Sequence, residues 1–211
     1  MSDDHDSTEL VRRGYDELSY RYRADDGTPQ HYAMWVTDLA SRVPARGAVL
    51  DLGCGCGVPL TRDLSRISFV VTGIDISEVQ VQRARILVPN ATFLRDDMTS
   101  VVLPSETFDA VICLYAIIHV PLDQQQAMIA KIATWLRPGG WLLMAAGEQA
   151  WTGSVDRWLG GDSTMWWSQA DADSYHRWIV DAGLVVVEHQ FIPEEASGHS
   201  LFWARRPSSA S

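Results

Sequence analysis

Three glycines at alternate positions, Gly53, Gly55 and Gly57, separate a short apolar run ending in Asp51 from a segment that reads as an amphipathic helix opening at Pro59. The pattern is strand, tight turn, helix. Glycine admits positive φ and lacks the Cβ that would keep a ligand's polar atoms off the backbone, and proline is accepted in the first turn of a helix. Residues 69–75, FVVTGID, form a second apolar run closing on Asp75, eighteen positions after Gly57. In a doubly wound sheet that acid lands at the carboxyl end of the neighbouring strand, where it accepts hydrogen bonds from both hydroxyls of a ribose. A glycine-rich turn alone is weak support for a nucleotide-like ligand, since tight connections use glycine for steric reasons. The acid downstream gives it weight. A dinucleotide turn of the form G-x-G-x-x-G would need glycine where Val58 stands.

The rest of the chain continues the alternation. Strands are expected at 47–52, 69–75, 91–95, 108–115, 140–146, 184–192 and 199–206, with helices at 58–66, 77–88, 122–137 and 170–182. Strands alternating with helices of this length imply a parallel sheet with right-handed crossovers. The last two strands have no helix between them, so they form a hairpin and the final strand runs antiparallel. Before the sheet, a helix capped at Ser7 or Thr8 turns Tyr15, Leu18 and Tyr22 toward one face; a second, starting at Pro29 and covering roughly 30–42, turns Met34, Trp35 and Leu39 inward. Residues 1–6 are acidic and read as disordered.

Composition bounds the function classes. The 211 residues are 46% hydrophobic and 21% charged, enough for one globular domain with a substantial core. The net charge of −10 argues against a nucleic-acid partner, which needs a basic face. Cys54, Cys56 and Cys113 lack zinc-site spacing and read as reduced thiols. His5, His31, His176, His189 and His199 are scattered, so no metal site is expected. The N-terminal residues carry no signal-peptide pattern and no run reaches membrane-spanning length, which predicts a cytoplasmic protein with no membrane partner. A monomer or homodimer is expected.

Taken in order, D-L-G-C-G-C-G, G-I-D-I-S, R-D-D-M, F-D-A-V-I-C-L-Y-A-I-I-H-V and L-R-P-G-G-W-L-L-M resemble the motifs of a class I S-adenosylmethionine-dependent methyltransferase of the small stand-alone type, from about Tyr15 to Arg205. The resemblance implies an α/β, Rossmann-like seven-stranded methyltransferase sheet with an antiparallel last strand and an N-terminal helical lid. It divides a single domain, 1–211, into a lid segment (1–45), a cofactor-binding core (46–147), an aromatic substrate-cap insert (148–169) and a C-terminal helix and hairpin (170–206). The family's G-Y-D-x-x-A-x-x-Y pattern is met by Gly14, Tyr15, Asp16 and Tyr22, with Ser19 in place of alanine.

S-adenosyl-L-methionine is the cofactor so implied, and S-adenosyl-L-homocysteine its product. Gly53, Gly55 and Gly57 meet the methionine end, Asp51 orients their turn, Asp75 takes the ribose hydroxyls and Ile76 lies under the adenine. Asp97, with Asp96 as rival, accepts from the adenine amino group, and Met98 presents its N–H to the ring. Leu114 offers its carbonyl to the ammonium group, while Tyr15 and Tyr22 cover the methionine moiety.

Methyl transfer from a sulfonium mainly needs positioning, plus an acceptor freed of its proton. His119, in H-V-P, leads as a base of near-neutral pKa; a histidine before proline also often just holds the backbone and caps the next helix. Glu148 and Tyr115 are the alternatives. The insert 147–169 is long enough to cover a cleft and emerges from a strand's carboxyl end. Trp151, Trp166 and Trp167, with Trp35 and His199, are the substrate-binding candidates; buried tryptophans that only plug the core are the plainer reading. The function expected is transfer to oxygen or nitrogen of a small aromatic or apolar metabolite, without a metal. The alternatives are a non-catalytic S-adenosylmethionine-binding scaffold that regulates a partner methyltransferase, and a cofactor turned to other chemistry, since fold is not function.

Overall fold

The structure, a computed structural model, describes residues 3–27, 30–194 and 197–208. Its centre is a seven-stranded sheet in the order β3-β2-β1-β4-β5-β9-β8. The strands are β1 (Ala48–Leu52), β2 (Val70–Asp75), β3 (Thr92–Arg95), β4 (Phe108–Leu114), β5 (Leu136–Gly147), β8 (Val185–Glu194) and β9 (Ser197–Arg205). The first five are parallel, and β9 runs antiparallel to both β5 and β8. The helices α3 (Leu60–Arg66), α4 (Glu78–Leu87), α5 (Leu122–Trp135) and α6 (Ala172–Asp181) supply the connections. Central strands with both faces covered must be apolar throughout; Val49, Leu50 and Leu52 in β1, and Ala110 to Cys113 in β4, are all buried. One apolar layer packs Leu50, Val111 and Met144 with Ile129 and Ile179. The other packs Val49, Ile112 and Leu143 with Leu64, Leu39 and Trp203.

The order reverses between β1 and β4, each of which leads off in the opposite direction across the sheet. Beyond the carboxyl ends of such a pair, no crossover fills the space, and a cleft opens there.

Helix α1 (Asp3–Tyr22) starts four residues before Ser7. Residues 3–6 of the segment that reads as disordered are helical, and residues 1 and 2 lie outside the described residues. Helix α2 (Gln30–Arg42) buries Tyr32, Trp35, Val36 and Leu39, whereas Met34 is 62% exposed. The inward stripe follows 32, 35, 36, 39, so Met34 falls on the outer face. Pro29, the expected helix start, lies outside the described residues.

α1 is welded to the core. The Asp16 carboxylate accepts from Ser77 Oγ at 2.6 Å and Val79 N–H at 3.3 Å at the start of α4. Ser19 donates to Gln80 at 2.9 Å and accepts from the buried Arg83 at 2.7 Å. Serine in place of alanine is thus part of this network.

The insert after β5 is not an unstructured loop. It folds into a hairpin of β6 (Trp151–Val155) and β7 (Met165–Gln169), forming a separate two-stranded sheet. Its aromatic and β-branched arms favour extended backbone, while the tip takes left-handed φ at Arg157, Leu159 and Gly160. Among the described residues no helix is long and apolar enough to cross a membrane.

Candidate active site

At the switch point the glycine turn lies beneath α1, with Gly53, Gly55 and Gly57 all at left-handed φ, between 55° and 75°. The turn hooks onto β2: the N–H groups of Gly53 and Cys54 donate to the Ile74 carbonyl at 2.8 and 3.1 Å, and that of Gly55 to Asp75 Oδ2 at 2.8 Å. Two of the glycines serve different ends. A Cβ on Gly53 would meet Ala116 Cβ at 2.3 Å, so the fold itself needs hydrogen there. A Cβ on Gly55 would have Gln80, at 3.9 Å, as its nearest neighbour and would stand in open space between two cavities. Gly57 faces Phe93 and Val88 and lines neither cavity.

The main cavity, beyond the carboxyl ends of β1 and β4, has about 740 Å³ of space that is partly open to solvent. One end is bounded by Asp75, Ile76, Asp96, Asp97 and Met98, the other by Tyr15, Leu114, Tyr115 and His119. The Asp75 carboxylate is fixed at both oxygens, Oδ2 by Gly55 and Oδ1 by the Ser77 N–H at 2.9 Å. Burial raises its pKa to about 6. Asp97 Oδ1 accepts from both the N–H and the hydroxyl of Thr99, each at 2.8 Å, which turns the carboxyl group into a defined orientation.

A side cavity beside the turn has a lining that includes Tyr22, Arg23, Tyr32, Asp51 and residues 53–56. Asp51 is buried, its pKa raised to about 7 by burial, and its described hydrogen bond is from the Thr61 hydroxyl at 2.6 Å. It anchors α3 rather than the turn amides. The Arg23 guanidinium, which no motif singled out, stands over the rings of Tyr22 and Tyr32 at 5.5 and 5.4 Å.

Outside the main cavity lies an aromatic vestibule whose lining includes Tyr22, Tyr32, Tyr115, Trp158, Trp167 and His199. Tyr115 holds a left-handed φ of 59° where β4 ends, a strained conformation of the kind that collects at functional sites. Burial, then Tyr32 and Glu194, raise its pKa. Trp158 closes one side, its ring 5.3 Å from Tyr15 and 6.1 Å from Trp167. It is a lining residue that the sequence pattern had not separated from its neighbours.

His119 links these walls. Its Nδ1 stands 2.8 Å from the Trp166 carbonyl and its Nε2 3.0 Å from Tyr15 Oη. Burial pushes its pKa down to about 4, not the near-neutral value expected for a base. The remaining candidates separate. Glu148 and Trp151 line an outer groove instead of the cavity, and Trp35 is buried in the core against Tyr32 and 6.4 Å from Tyr115. Trp166 contributes its carbonyl to His119, and its indole lines neither cavity nor vestibule. His199 packs edge-on against Tyr115 at 4.9 Å. Among the described residues no three His, Cys, Asp or Glu side chains cluster as a metal site would require.

The chemistry of the lining fits an adenosyl sulfonium: a fixed carboxylate able to take a pair of hydroxyls, open space above Gly55, a second oriented carboxylate able to take an amino group, and aromatic faces able to meet a cation. Comparison with known proteins agrees. Residues 49–140 match the model of a methyltransferase domain. The 27-O-demethylrifamycin SV methyltransferase of Amycolatopsis mediterranei is 31% identical over 156 residues, 64% of this chain and 57% of that protein. The chain spans between 25% and 59% of the length of the first few curated relatives it matches. Two solved structures share the fold at a TM-score of 0.73: magnesium protoporphyrin IX methyltransferase of Synechocystis with bound S-adenosylmethionine, 21% identical over 95% of this chain and 97% of that one, and the (4+2)-cyclase SpnF, 20% identical over 96% and 97%. By its motifs, its sheet and its glycine turn, and by the match of residues 49–140 to a methyltransferase domain, the chain is similar to the class I S-adenosylmethionine-dependent methyltransferases.

Proposed function

We propose that this protein is an enzyme that transfers a methyl group from S-adenosylmethionine to an oxygen or nitrogen of a small aromatic acceptor held in the vestibule. The observation that carries the reading is the Asp75 carboxylate, fixed by two backbone amides at the floor of a cavity that opens toward rings of tyrosine and tryptophan. When bound, the cofactor supplies a methyl group already activated on sulfur, so the protein's task is alignment.

Each oxygen of Asp75 would accept one ribose hydroxyl. Ile76 would lie against the adenine, Asp97 would accept from its amino group and Met98 would offer its backbone N–H. Leu114, which borders both the main and side cavities, would turn its carbonyl to the ammonium group, and Arg23 would pair with the carboxylate. Tyr15, Tyr22 and Trp158 would exclude water from the methyl group, and Tyr115 and Trp167 would hold the acceptor ring face by stacking, worth about 1 kcal/mol per aromatic pair.

His119 is proposed as a strut, not a base. Its low pKa and its contact with Tyr15 favour an acceptor that arrives with an available lone pair, such as a carboxylate, an acidic phenol or an unprotonated amine. A vestibule continuous with the cofactor cavity supports an enzyme over a scaffold. Transfer of label from S-adenosylmethionine to a panel of aromatic acids, phenols and amines, with calorimetry of S-adenosylhomocysteine, tests the reading; no uptake of either nucleoside at millimolar concentration would end it.

A further inference from the structure

Beyond the vestibule a groove runs between the β6–β7 hairpin and the β8–β9 hairpin, with about 1300 Å³ of space that is partly open to solvent. It shares Ile118, Trp167 and His199 with the vestibule, so a ligand too long for the vestibule would extend into it. Its lining includes Trp151, Trp167 and Phe191, and Glu148 is the one acid among the described residues that line it. Among the described residues no lysine or arginine lines it.

The Glu148 carboxylate is held in place from behind. Fully buried Ser200 donates to Glu148 Oε2. Because that bond uses the only hydroxyl proton of Ser200, the contact of Ser200 Oγ with His189 Nε2, at 2.9 Å, has the histidine as donor. The His189 ring is itself stacked on Phe202 at 4.4 Å. A carboxylate fixed this way, in a groove that also holds two indole rings and, among the described residues, no lysine or arginine, attracts a cation twice over: by its charge and through the ring faces. An anionic group would be repelled by the carboxylate, and a neutral donor would gain a hydrogen bond without the attraction between opposite charges.

We infer that the groove is a distal acceptor subsite for an organic ammonium group, with Glu148 as the specificity-determining residue and Trp151 and Trp167 as its aromatic walls. The inference rests on the methyltransferase reading for its first half: the reacting atom lies in the vestibule, and the cationic end of an elongated aromatic amine lies in the groove.

Benzyltrimethylammonium tests the site, because it is a cation at every pH and has no atom left to methylate. It is titrated, by calorimetry and tryptophan fluorescence, into protein saturated with S-adenosylhomocysteine and into protein without it. Saturable binding is expected, weakened about tenfold by Glu148→Gln and by Trp151→Ala and unchanged by Glu194→Gln in the vestibule. Benzoate and benzyl alcohol should bind at least about tenfold more weakly. The amide introduced by Glu148→Gln can still accept from Ser200, and Trp151 is half exposed, so both variants should keep their unfolding midpoints. Absence of saturable binding, indifference to Glu148→Gln, equal binding of benzoate, or an equal effect of Glu194→Gln would overturn the subsite. A protein that takes up S-adenosylhomocysteine but ignores the ammonium refutes the subsite alone; one that takes up neither refutes the methyltransferase reading as well.

Discussion

The Tyr15 hydroxyl lies 3.0 Å from His119 Nε2, while Nδ1 of the same ring faces the Trp166 carbonyl at 2.8 Å. A carbonyl can only accept, so Nδ1 carries the proton and Nε2 receives the one from Tyr15. One imidazole thereby ties α1 and the β6–β7 hairpin to the segment that follows β4.

This arrangement sets a pH dependence. Burial holds the folded-state pKa of His119 at about 4, below the 6.5 of a free histidine. The unfolded chain therefore takes up a proton through pH 6.5 that the folded chain refuses until about pH 4. The stability from this site is fully present above about 6.5 and is lost as pH falls toward 4. Asp51 and Asp75, whose folded pKa values are raised, act with the opposite sign, losing stability as pH rises from 3.8 toward about 7 and 6. The difference between parent and His119→Gln isolates the histidine. In urea unfolding, the variant should lose less stability than the parent between pH 7.5 and 4.5; parallel curves would show that His119 titrates alike in both states.

The proposed ribose contact of Asp75 would make cofactor affinity pH-dependent too. Ribose hydroxyls donate to its charged form, so binding favours the carboxylate, which burial has raised to a pKa of about 6. Affinity for S-adenosylhomocysteine should be level above pH 7 and fall below about 6, by up to about tenfold per pH unit. Asp75→Ala removes two charge-assisted bonds, together about 3 kcal/mol or roughly 100-fold in Kd, and flattens the pH profile. Calorimetry at pH 5, 6, 7 and 8 gives both readings.

The strands of the central sheet, the turn and the acid at the end of β2 were legible because each is local: a period, a spacing, an acid closing an apolar run. Asp75 followed by Ser77 also carries a capping signal, since Ser77 accepts from the Gln80 N–H at 3.1 Å to start α4. What could not be read depends on contacts distant in sequence. His119 loses its near-neutral pKa only because α1 and the hairpin bury it. Trp35 and Trp167 have the same side chain, and only the packing of α2 under Tyr115 sends one to the core and leaves the other in the vestibule. The hairpin was obscured by the glycines at its tip, although T-M-W-W-S-Q has strand character. Arg23 belongs to no motif; its place in the side cavity comes from where α1 ends.

The two glycines that precede and follow Cys54 should fail in different assays. Gly53→Ala drives a methyl group into Ala116, at 2.3 Å from its Cβ, and forces a left-handed φ on alanine. A loss of more than about 2 kcal/mol in unfolding free energy is expected. Gly55→Ala meets no protein atom nearer than 3.9 Å, so it costs only the left-handed strain, about 1 kcal/mol. Its methyl group would fill the space above the turn, and affinity for S-adenosylhomocysteine should fall more than about tenfold in a protein that still folds. Equal damage to stability in the two variants would remove the distinction.

The proposed pairing of Arg23 with the cofactor's carboxylate would separate recognition of the amino-acid end from recognition of the nucleoside. It follows the last residue of α1, donates to Tyr32 Oη at 3.4 Å and lines the side cavity with the glycine turn, away from the Asp97 end. A carboxylate paired with it would gain a charge-assisted bond of about 1.5–3 kcal/mol. Arg23→Ala should therefore weaken S-adenosylhomocysteine by about 10- to 100-fold while leaving adenosine, which lacks the amino-acid tail, within about twofold. Arg23→Lys should recover part of the loss, since it restores the charge without the planar fork. If adenosine weakened as much as the full product, Arg23 would be holding the end of α1 in place, and the carboxylate would have to be bound by other groups of the side cavity.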